Sequence, residues 1–295
     1  MSKELPNNAR LVERIDVAPE LAIFRVRPDA VPNDGAPWFL PGQYVTLGMG
    51  DLQRAYSIAS SPNERRWLEF YIRYARNPET ETPLTHRLFD LPVGERLHAG
   101  DKIVGRFTLA RTLPPGDVRH RILIAAGTGL APFLSMVRAA VEEGDGAALA
   151  RTSVLHGASH PEELAYRDEL EAAVRRHGLR YVPTVSRPLE HPEWTGVTGR
   201  VETLLDGDLG LGAFGPETAV AYVCGFRGTI AESVRSLLRR GFVPEDRKLR
   251  RMLALPESLP ASLFFEQYDL EPVFDPSDEA TIASLRAEIQ PRNMK

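Results

Sequence analysis

The sequence predicts two domains of different class, an antiparallel β-barrel followed by an α/β domain built on a parallel sheet. The chain has 295 residues, which is more than one typical domain needs. Its first part consists of short β-rich runs separated by turn signals, and its second part alternates strand-like and helix-like runs. We place the domains at residues 1–113 and 118–268, followed by a polar extension at residues 269–295.

The β-rich runs of the first domain are bounded by residues typical of turns. These runs are LAIFRVRP, GQYVTLGMG, RAYSIAS, WLEFYIRYA and KIVGRFTLA. Turn sequences such as NDGAP and LPVGE stand between them. Short strands divided in this way are typical of a small antiparallel barrel or sandwich.

In the second domain, short apolar runs typical of buried strands precede segments with helical spacing. RILIAA leads into GTGLAPFLSMVRAAVEEG, RTSVLHGAS into PEELAYRDELEAAVRRHG, and TAVAYVCG into TIAESVRSLLRRG. LRYVPTVSR is a further strand, and TGRVETLLDG opens a short helix. Strand and helix alternation of this kind predicts a parallel sheet.

Composition excludes several classes of function. The apolar fraction is 43%, but no run is long enough to span a membrane, and the polar N-terminus lacks the apolar core of a signal peptide, so we expect a cytoplasmic location. Cys224 is the single cysteine, which excludes an intrachain disulfide and a plant-type iron–sulfur cluster held by this sequence. The net charge of −4 does not favour nucleic acid, and we expect no metal site.

Two kinds of motif suggest ligand binding. On the RAYSIAS strand, Arg54 and Tyr56 share one face, because side chains two residues apart point the same way. The strand ending at residue 126 runs into the turn GTGLAP, whose glycines and helix N-terminus suit a phosphate, although Pro132 stands where the full dinucleotide fingerprint has its third glycine. Cys224 and Gly225 end a second buried strand, and ligands gather at such carboxyl ends.

In this order, the segments resemble the ferredoxin–NADP reductase family, most closely its bacterial branch, from about residue 10 to residue 268. The resemblance implies a flavin-binding barrel and a Rossmann-like NADP domain. It also implies that Arg54 pairs with the FAD pyrophosphate, that Tyr56 stacks on the isoalloxazine, and that Ser57 lies near flavin N5. The other residues that it assigns to FAD are Ala55, Tyr71, Ile72, Arg73, Leu84, Thr85, Thr128 and Tyr268.

The resemblance also assigns the site of the pyridine nucleotide and the residues of catalysis. The NADP residues are Gly127, Thr128, Gly129, Pro132, Ser186, Arg187, Arg200, Cys224 and Gly225. The catalytic set is Ser57, Cys224, Glu266 and Tyr268. Within that set, Cys224 and Glu266 are expected to position the nicotinamide and to route protons.

The sequence departs from the family in two places. Ser159 stands where bacterial members often carry an arginine that reads the 2′-phosphate, but Arg187 and Arg200 match the family's other 2′-phosphate arginines and predict a preference for NADPH over NADH. The chain also continues beyond Tyr268, where the family usually stops. We hypothesise that this extension docks on the protein and restricts the movement of Tyr268, and that it lies near the adenine half of FAD.

The resemblance implies an FAD-dependent NADPH:ferredoxin reductase, expected to be a monomer whose partner is an acidic ferredoxin. Candidate contact patches are the basic run at residues 247–251 and the pair Arg65 and Arg66, which could also be ordinary solvated charges. The alternatives are a reductase component of an oxygenase system, an NAD(P)H–flavin reductase, and a non-catalytic nucleotide-binding module on the same fold.

Overall fold

A computed structural model describes residues 5–32, 35–76, 83–206, 213–268 and 271–289. Within these ranges, every helix is too short or too polar to cross a membrane. The chain divides into two compact units. The first comprises Met1–Pro115 and Leu130–Asp145, and the second comprises Gly116–Gly129 and Gly146–Lys295.

The first unit is built on a six-stranded antiparallel sheet with the order β4-β3-β6-β1-β2-β5. Its strands are β1 (Ala9–Ala18), β2 (Leu21–Pro28), β3 (Tyr44–Met49), β4 (Leu52–Ser57), β5 (Leu68–Arg73) and β6 (Arg96–Ala99). Just beyond β4, the Ala59 N–H donates to the Glu69 carbonyl of β5 at 2.8 Å, so the two edge strands are linked as in a barrel. The predicted antiparallel class is confirmed.

The sequence patterns missed some elements of this sheet. β1 and β6 were not among the predicted runs, because neither carries a long β-branched or aromatic stretch. The predicted strand KIVGRFTLA is wrong. Val104 makes an isolated bridge to Tyr44, Gly105 has φ of +130° and interrupts the run, and Thr108 caps the short helix α2 (Leu109–Thr112).

Helices α1 (Leu84–Asp90) and α3 (Ala131–Glu142) also belong to the first unit. The sequence predicted α3 as part of the second domain, because it follows a strand of that domain after one short turn. Its packing places it with the first, since Phe133 is fully buried with its ring 5.7 Å from that of Phe107. Arg138 also donates to the buried Glu69 carboxylate at 2.7 Å.

The second unit is built on a six-stranded parallel sheet with the order β10-β9-β8-β7-β11-β12. Its strands are β7 (His120–Ala126), β8 (Thr152–Ala158), β9 (Arg180–Val185), β10 (Val197–Thr198), β11 (Ala219–Gly225) and β12 (Leu263–Gln267). Its helices are α4 (Gly146–Ala150), α5 (Arg167–His177), α6 (Arg227–Arg239), α7 (Arg247–Met252) and α8 (Glu279–Glu288). All residues of β8 and β11 are buried, as expected for strands covered on both faces. The predicted parallel α/β class is confirmed.

The extension after Tyr268 packs on the second unit within its described residues, 271–289. Phe274, Leu285 and Ile289 join the hydrophobic core of this unit. Asp278 caps α8 by accepting from the Thr281 N–H at 2.9 Å. The docking part of the hypothesis is therefore confirmed, and its effect on Tyr268 stays a prediction.

Candidate active site

Strand β4 presents the Arg-x-Tyr-Ser sequence of the first unit. Arg54 and Ala55 are exposed, Tyr56 is half-buried, and Ser57 is buried with 6% of its surface accessible. The Tyr56 ring meets the edge of Phe70 at 6.4 Å, and burial raises the pKa of the Tyr56 hydroxyl above its usual value. The strand therefore offers an accessible cation beside a neutral, anchored aromatic ring.

The remaining flavin residues predicted in the first unit lie on β5 and at the start of α1. Ile72 and Leu84 are buried in the core, so their side chains serve packing, and contact with a ligand would have to come from their backbone. Tyr71 is also buried, and Arg73 is half-buried at the end of β5. The Thr85 hydroxyl accepts from the Ala75 N–H at 3.2 Å.

In the second unit, two glycine turns meet at the carboxyl ends of neighbouring strands, β7 and β11. A 3₁₀ turn over Gly127–Leu130 follows β7. A Cβ atom on Gly129 would lie 2.1 Å from the Cys224 carbonyl oxygen, and one on Gly225 would lie 2.9 Å from the Ala126 Cβ. Only glycine permits this contact between backbones, so the two turns lie side by side at this edge of the sheet.

Cys224 and Tyr268 form a hydrogen-bonded chain beside the Gly127 turn. The Cys224 thiol donates to the Tyr268 hydroxyl at 3.3 Å, and that hydroxyl donates to the Thr128 carbonyl at 3.4 Å. Glu266 stands opposite Cys224 in the register of β11 and β12. Complete burial, with the negative charge of Glu266, raises the pKa of the Cys224 thiol well above its ordinary value. The thiol is therefore protonated at neutral pH and is suited to hydrogen bonding and close packing.

Two exposed aromatic rings lie at this edge of the sheet. Tyr268 is 48% exposed and Phe226 is 56% exposed. A Cβ on Gly127 would lie 3.7 Å from the Phe226 ring, so this ring borders the turn. The sequence analysis did not single out Phe226. The signal was available, because an aromatic residue directly follows the Cys224-Gly225 strand end and precedes a helix.

The predicted 2′-phosphate residues follow the next strands of the same sheet. The Ser186 N–H donates to the Ala158 carbonyl at 3.0 Å, and the Arg187 N–H donates to the Ser159 carbonyl at 3.1 Å, which joins the ends of β8 and β9. Arg200 follows β10. The side chains of Arg187 and Arg200 are 60% and 59% exposed.

Each of these arginines faces a carboxylate of its own segment. The Arg187 guanidinium lies 3.7 Å from Glu190, and Arg200 pairs with the buried Glu202. A phosphate arriving here would compete with those carboxylates, but it would bring more charge and more acceptor oxygens to the same donors.

The structure corrects one proposed contact patch, the basic run at residues 247–251. Arg250 is only 6% exposed, and its guanidinium donates to the carbonyls of Pro244, Pro256, Glu257 and Leu259. It therefore closes the loop after α7 and is not a surface charge. Arg247, Lys248 and Arg251 are exposed.

The pair Arg65 and Arg66 is only partly available as a patch. Arg65 donates to the carbonyls of Pro32 and Ala36, which holds its side chain against the protein. Arg66 is 69% exposed but pairs with Glu64 at 2.6 Å. Pairing and anchoring of this kind reduce the charge that a partner would meet.

These groups fit a nucleotide with phosphates and a planar ring. The glycine turn brings backbone N–H groups to a strand end, the exposed arginines suit phosphate oxygens, and the exposed aromatic rings suit a flat π-system. Fold and site together define the class, a two-domain nucleotide-dependent oxidoreductase with an antiparallel β domain and a parallel α/β domain.

Comparison with known proteins agrees with this class. The family described as Oxidoreductase NAD-binding domain matches residues 123–236. Ferredoxin--NADP reductase A of Sorangium cellulosum is 34% identical over 69% of this chain and 74% of its own length. The phenol hydroxylase P5 protein of Acinetobacter pittii is 28% identical over 83% of this chain and 65% of its own length.

Among solved structures, a ferredoxin NADP+ reductase from Neisseria gonorrhoeae with bound FAD and NADP superimposes with a TM-score of 0.70. It is 21% identical and covers 88% of this chain and 98% of its own, which shows a shared fold. The chain belongs to the ferredoxin–NADP reductase family, and it is an oxidoreductase of that FAD-dependent family.

Proposed function

We propose that this protein is an FAD-dependent ferredoxin–NADP(+) oxidoreductase. It transfers a hydride between NADPH and FAD and passes single electrons to an iron–sulfur ferredoxin. The observation that carries the proposal is the Cys224–Tyr268 pair, which lies against the Gly127 turn at the carboxyl edge of the parallel sheet. It joins a neutral thiol, a displaceable aromatic ring and a phosphate-type turn at one strand end.

In this proposal the first unit holds FAD. The exposed Arg54 binds the pyrophosphate, since a guanidinium makes paired hydrogen bonds to phosphate oxygens. Tyr56 stacks on the isoalloxazine and Ser57 lies near flavin N5. Ala55, Tyr71, Ile72, Arg73, Leu84 and Thr85 complete the FAD set of this unit. When bound, the flavin supplies the chemistry of accepting two electrons and releasing them one at a time.

The second unit binds NADP(H), which is a substrate. The turn at Gly127, Thr128 and Gly129 receives the pyrophosphate at its backbone N–H groups. Ser186, Arg187 and Arg200 bind the 2′-phosphate and give the preference for NADPH. Gly225 carries no side chain, and none would fit there. The backbone at the end of β11 is therefore bare where the nicotinamide approaches.

Cys224 and Glu266 position the nicotinamide. The raised pKa of the Cys224 thiol keeps it uncharged, so it can lie against the reacting ring without placing an anion beside a departing hydride. The carboxylate of Glu266 provides a place for a proton near that thiol. Tyr268 must swing away before the nicotinamide enters, and this breaks only a weak hydrogen bond from the Cys224 thiol and a long one, 3.4 Å, to the Thr128 carbonyl.

The electron acceptor is an acidic ferredoxin. Because Arg250 is buried, the exposed positive charges of the α7 patch are those of Arg247, Lys248 and Arg251. Charge complementarity of this kind speeds the encounter and weakens as salt increases. The monomeric state and the cytoplasmic location remain predictions.

A direct experiment separates this function from its alternatives. The purified protein should be yellow and should bleach when NADPH is added without air. Reduction of a ferredoxin of the same organism should then follow at a rate that falls with salt. A colourless protein that binds nucleotide but transfers no electrons would refute the proposal and leave a binding module.

A second candidate is a reductase component of an oxygenase system. The likeness to the phenol hydroxylase P5 protein, which extends over 83% of this chain, favours it. The same preparation can test it, because such a component would reduce an oxygenase protein faster than it reduces any ferredoxin of the host. An NAD(P)H–flavin reductase would instead reduce free flavin and release it.

A further inference from the structure

Two histidines of the second unit lie close together on loops that follow β8 and β9. His160 follows β8, and His191 follows the 3₁₀ turn Pro188–Glu190. The His160 Nδ1 and the His191 Nε2 are 2.8 Å apart. Their side chains are 23% and 18% exposed, so both rings are mostly covered but reachable from solvent.

Carboxylates surround this pair. Glu190 lies 3.6 Å from the His160 Nδ1, and Glu162 lies 3.9 Å from the His191 Nδ1. Three possible ligand atoms, one each from His160, Glu162 and His191, lie within 4.8 Å of one another. Arg187 faces Glu190 at 3.7 Å, but the carboxylates outnumber it. The charge next to the two imidazole rings is therefore negative and favours a cation at that point.

We propose that His160, His191 and Glu162 form a binding site for a divalent transition-metal ion of the zinc type. Imidazole nitrogens with a carboxylate are the donors that zinc prefers, and magnesium or calcium would prefer oxygen ligands alone. Tetrahedral zinc with ligand bonds of about 2.0–2.1 Å separates two nitrogens by roughly 3.3 Å. The two rings therefore need to part by only a few tenths of an ångström. Glu190 or water completes the coordination.

The groups behind the ligands fit the same interpretation. The Nδ1 of His191, which faces away from His160, lies 3.3 Å from the Glu193 carboxylate. A carboxylate on the outer nitrogen of a metal-binding histidine orients the ring and increases its basicity. This arrangement places His191 Nε2 on the side of His160 and leaves the outer nitrogen beside carboxylates.

The backbone around the cluster is held in place before any metal binds. The His191 N–H donates to the Pro188 carbonyl at 3.0 Å, and the Trp194 N–H donates to the His191 carbonyl at 2.9 Å. Trp194 in turn packs on the buried residues Ala158 and Leu164. Because the loop is already ordered, metal binding has little chain entropy to overcome.

The test uses the full-length, flavin-loaded protein with any affinity tag removed, titrated calorimetrically with zinc chloride and separately with magnesium chloride. We expect one zinc ion per chain, no magnesium binding, and a rise in the midpoint of thermal unfolding with zinc. The variant carrying His160→Asn and His191→Asn should lose zinc binding. Glu193→Gln should weaken it about tenfold. The matched control is His177→Asn, a half-buried histidine on α5, which should bind zinc like the parent.

Several outcomes would overturn the proposal. It is overturned if the parent protein binds no zinc, or if the double variant binds zinc as tightly as the parent. It is also overturned if His177→Asn loses as much zinc affinity as the double variant. Unfolding midpoints and flavin content without metal establish that each variant is folded. If the double variant fails to fold, the exposed carboxylate variants Glu162→Gln and Glu193→Gln decide, and unchanged zinc affinity in both refutes the site. The proposal does not depend on the identity of the electron acceptor.

Discussion

Replacement of Gly129 by alanine tests the contact between the two glycine turns directly. The new Cβ would lie 2.1 Å from the Cys224 carbonyl oxygen, 2.5 Å from its carbonyl carbon and 2.8 Å from the Gly225 nitrogen. All three are backbone atoms, so no side chain can rotate away. Ordinary contact begins near 3.4 Å, so the turn or the end of β11 must move by about 1 Å.

The cost of that movement can be bounded. Overpacking of a well-packed site costs about 1–3 kcal/mol, which for a domain of this size lowers the unfolding midpoint by about 2–4 °C for each kcal/mol. A displacement of about 1 Å next to the reacting groups can reduce the rate by roughly 100-fold. We therefore expect Gly129→Ala to lose both stability and kcat/KM for NADPH.

Urea unfolding and stopped-flow reduction by NADPH are the two measurements. Gly146→Ala is the matched control, because a Cβ there meets nothing within 4 Å and the residue lies at the start of α4. The reasoning is refuted if Gly129→Ala unfolds within about 0.5 kcal/mol of that control and is reduced by NADPH at the parent rate.

Four further predictions follow from individual side chains. Glu69→Gln should lower the free energy of unfolding by about 1.5–3 kcal/mol at pH 7, because the half-buried Arg138 and Arg25 lose the carboxylate that they share, while Arg25 keeps Glu13. The charges of Arg138 and Arg25 lower the pKa of Glu69 from 4.5 in the folded protein. Its contribution to the free energy of unfolding is therefore complete above 4.5 and is lost as the pH falls through the lower folded pKa. Urea titrations should show the stability difference between parent and variant shrinking from neutral to acid pH. Arg187→Ala should raise KM for NADPH roughly tenfold and leave KM for NADH unchanged in steady-state assays, and equal effects on both would contradict the 2′-phosphate assignment. Charge reversal of Arg251 should slow ferredoxin reduction and flatten its salt dependence without loss of stability, whereas reversal of Arg250 should unfold the α7 loop. Leu285→Ala should cost about 2–5 kcal/mol of stability, measured in urea, since the side chain is fully buried where the extension joins the core.

The sequence predicted the classes of the two domains, but it did not predict which unit helix α3 belongs to. The helix over residues 131–142 is separated from β7 only by the turn Gly127–Leu130, so adjacency in sequence assigned it to the second domain. Its buried face instead packs with Phe107, and Arg138 reaches Glu69 across a long separation in sequence. Periodicity shows that a helix has an apolar face, but it does not show which core receives that face.

The candidate site also combines features that the sequence determines with contacts that only the fold creates. The sequence alone determined the parallel α/β class, the phosphate-type turn and the strand end at Cys224 and Gly225, because glycine spacing and strand-end position are local properties of the chain. The assignment of Tyr268 came from the resemblance to the family. Only the tertiary structure decided that Cys224 is hydrogen-bonded to Tyr268, that Arg250 is buried against backbone carbonyls, and that His160 and His191 meet. These contacts join residues from different segments of the chain. Composition and spacing do not show how close such segments lie in the folded protein.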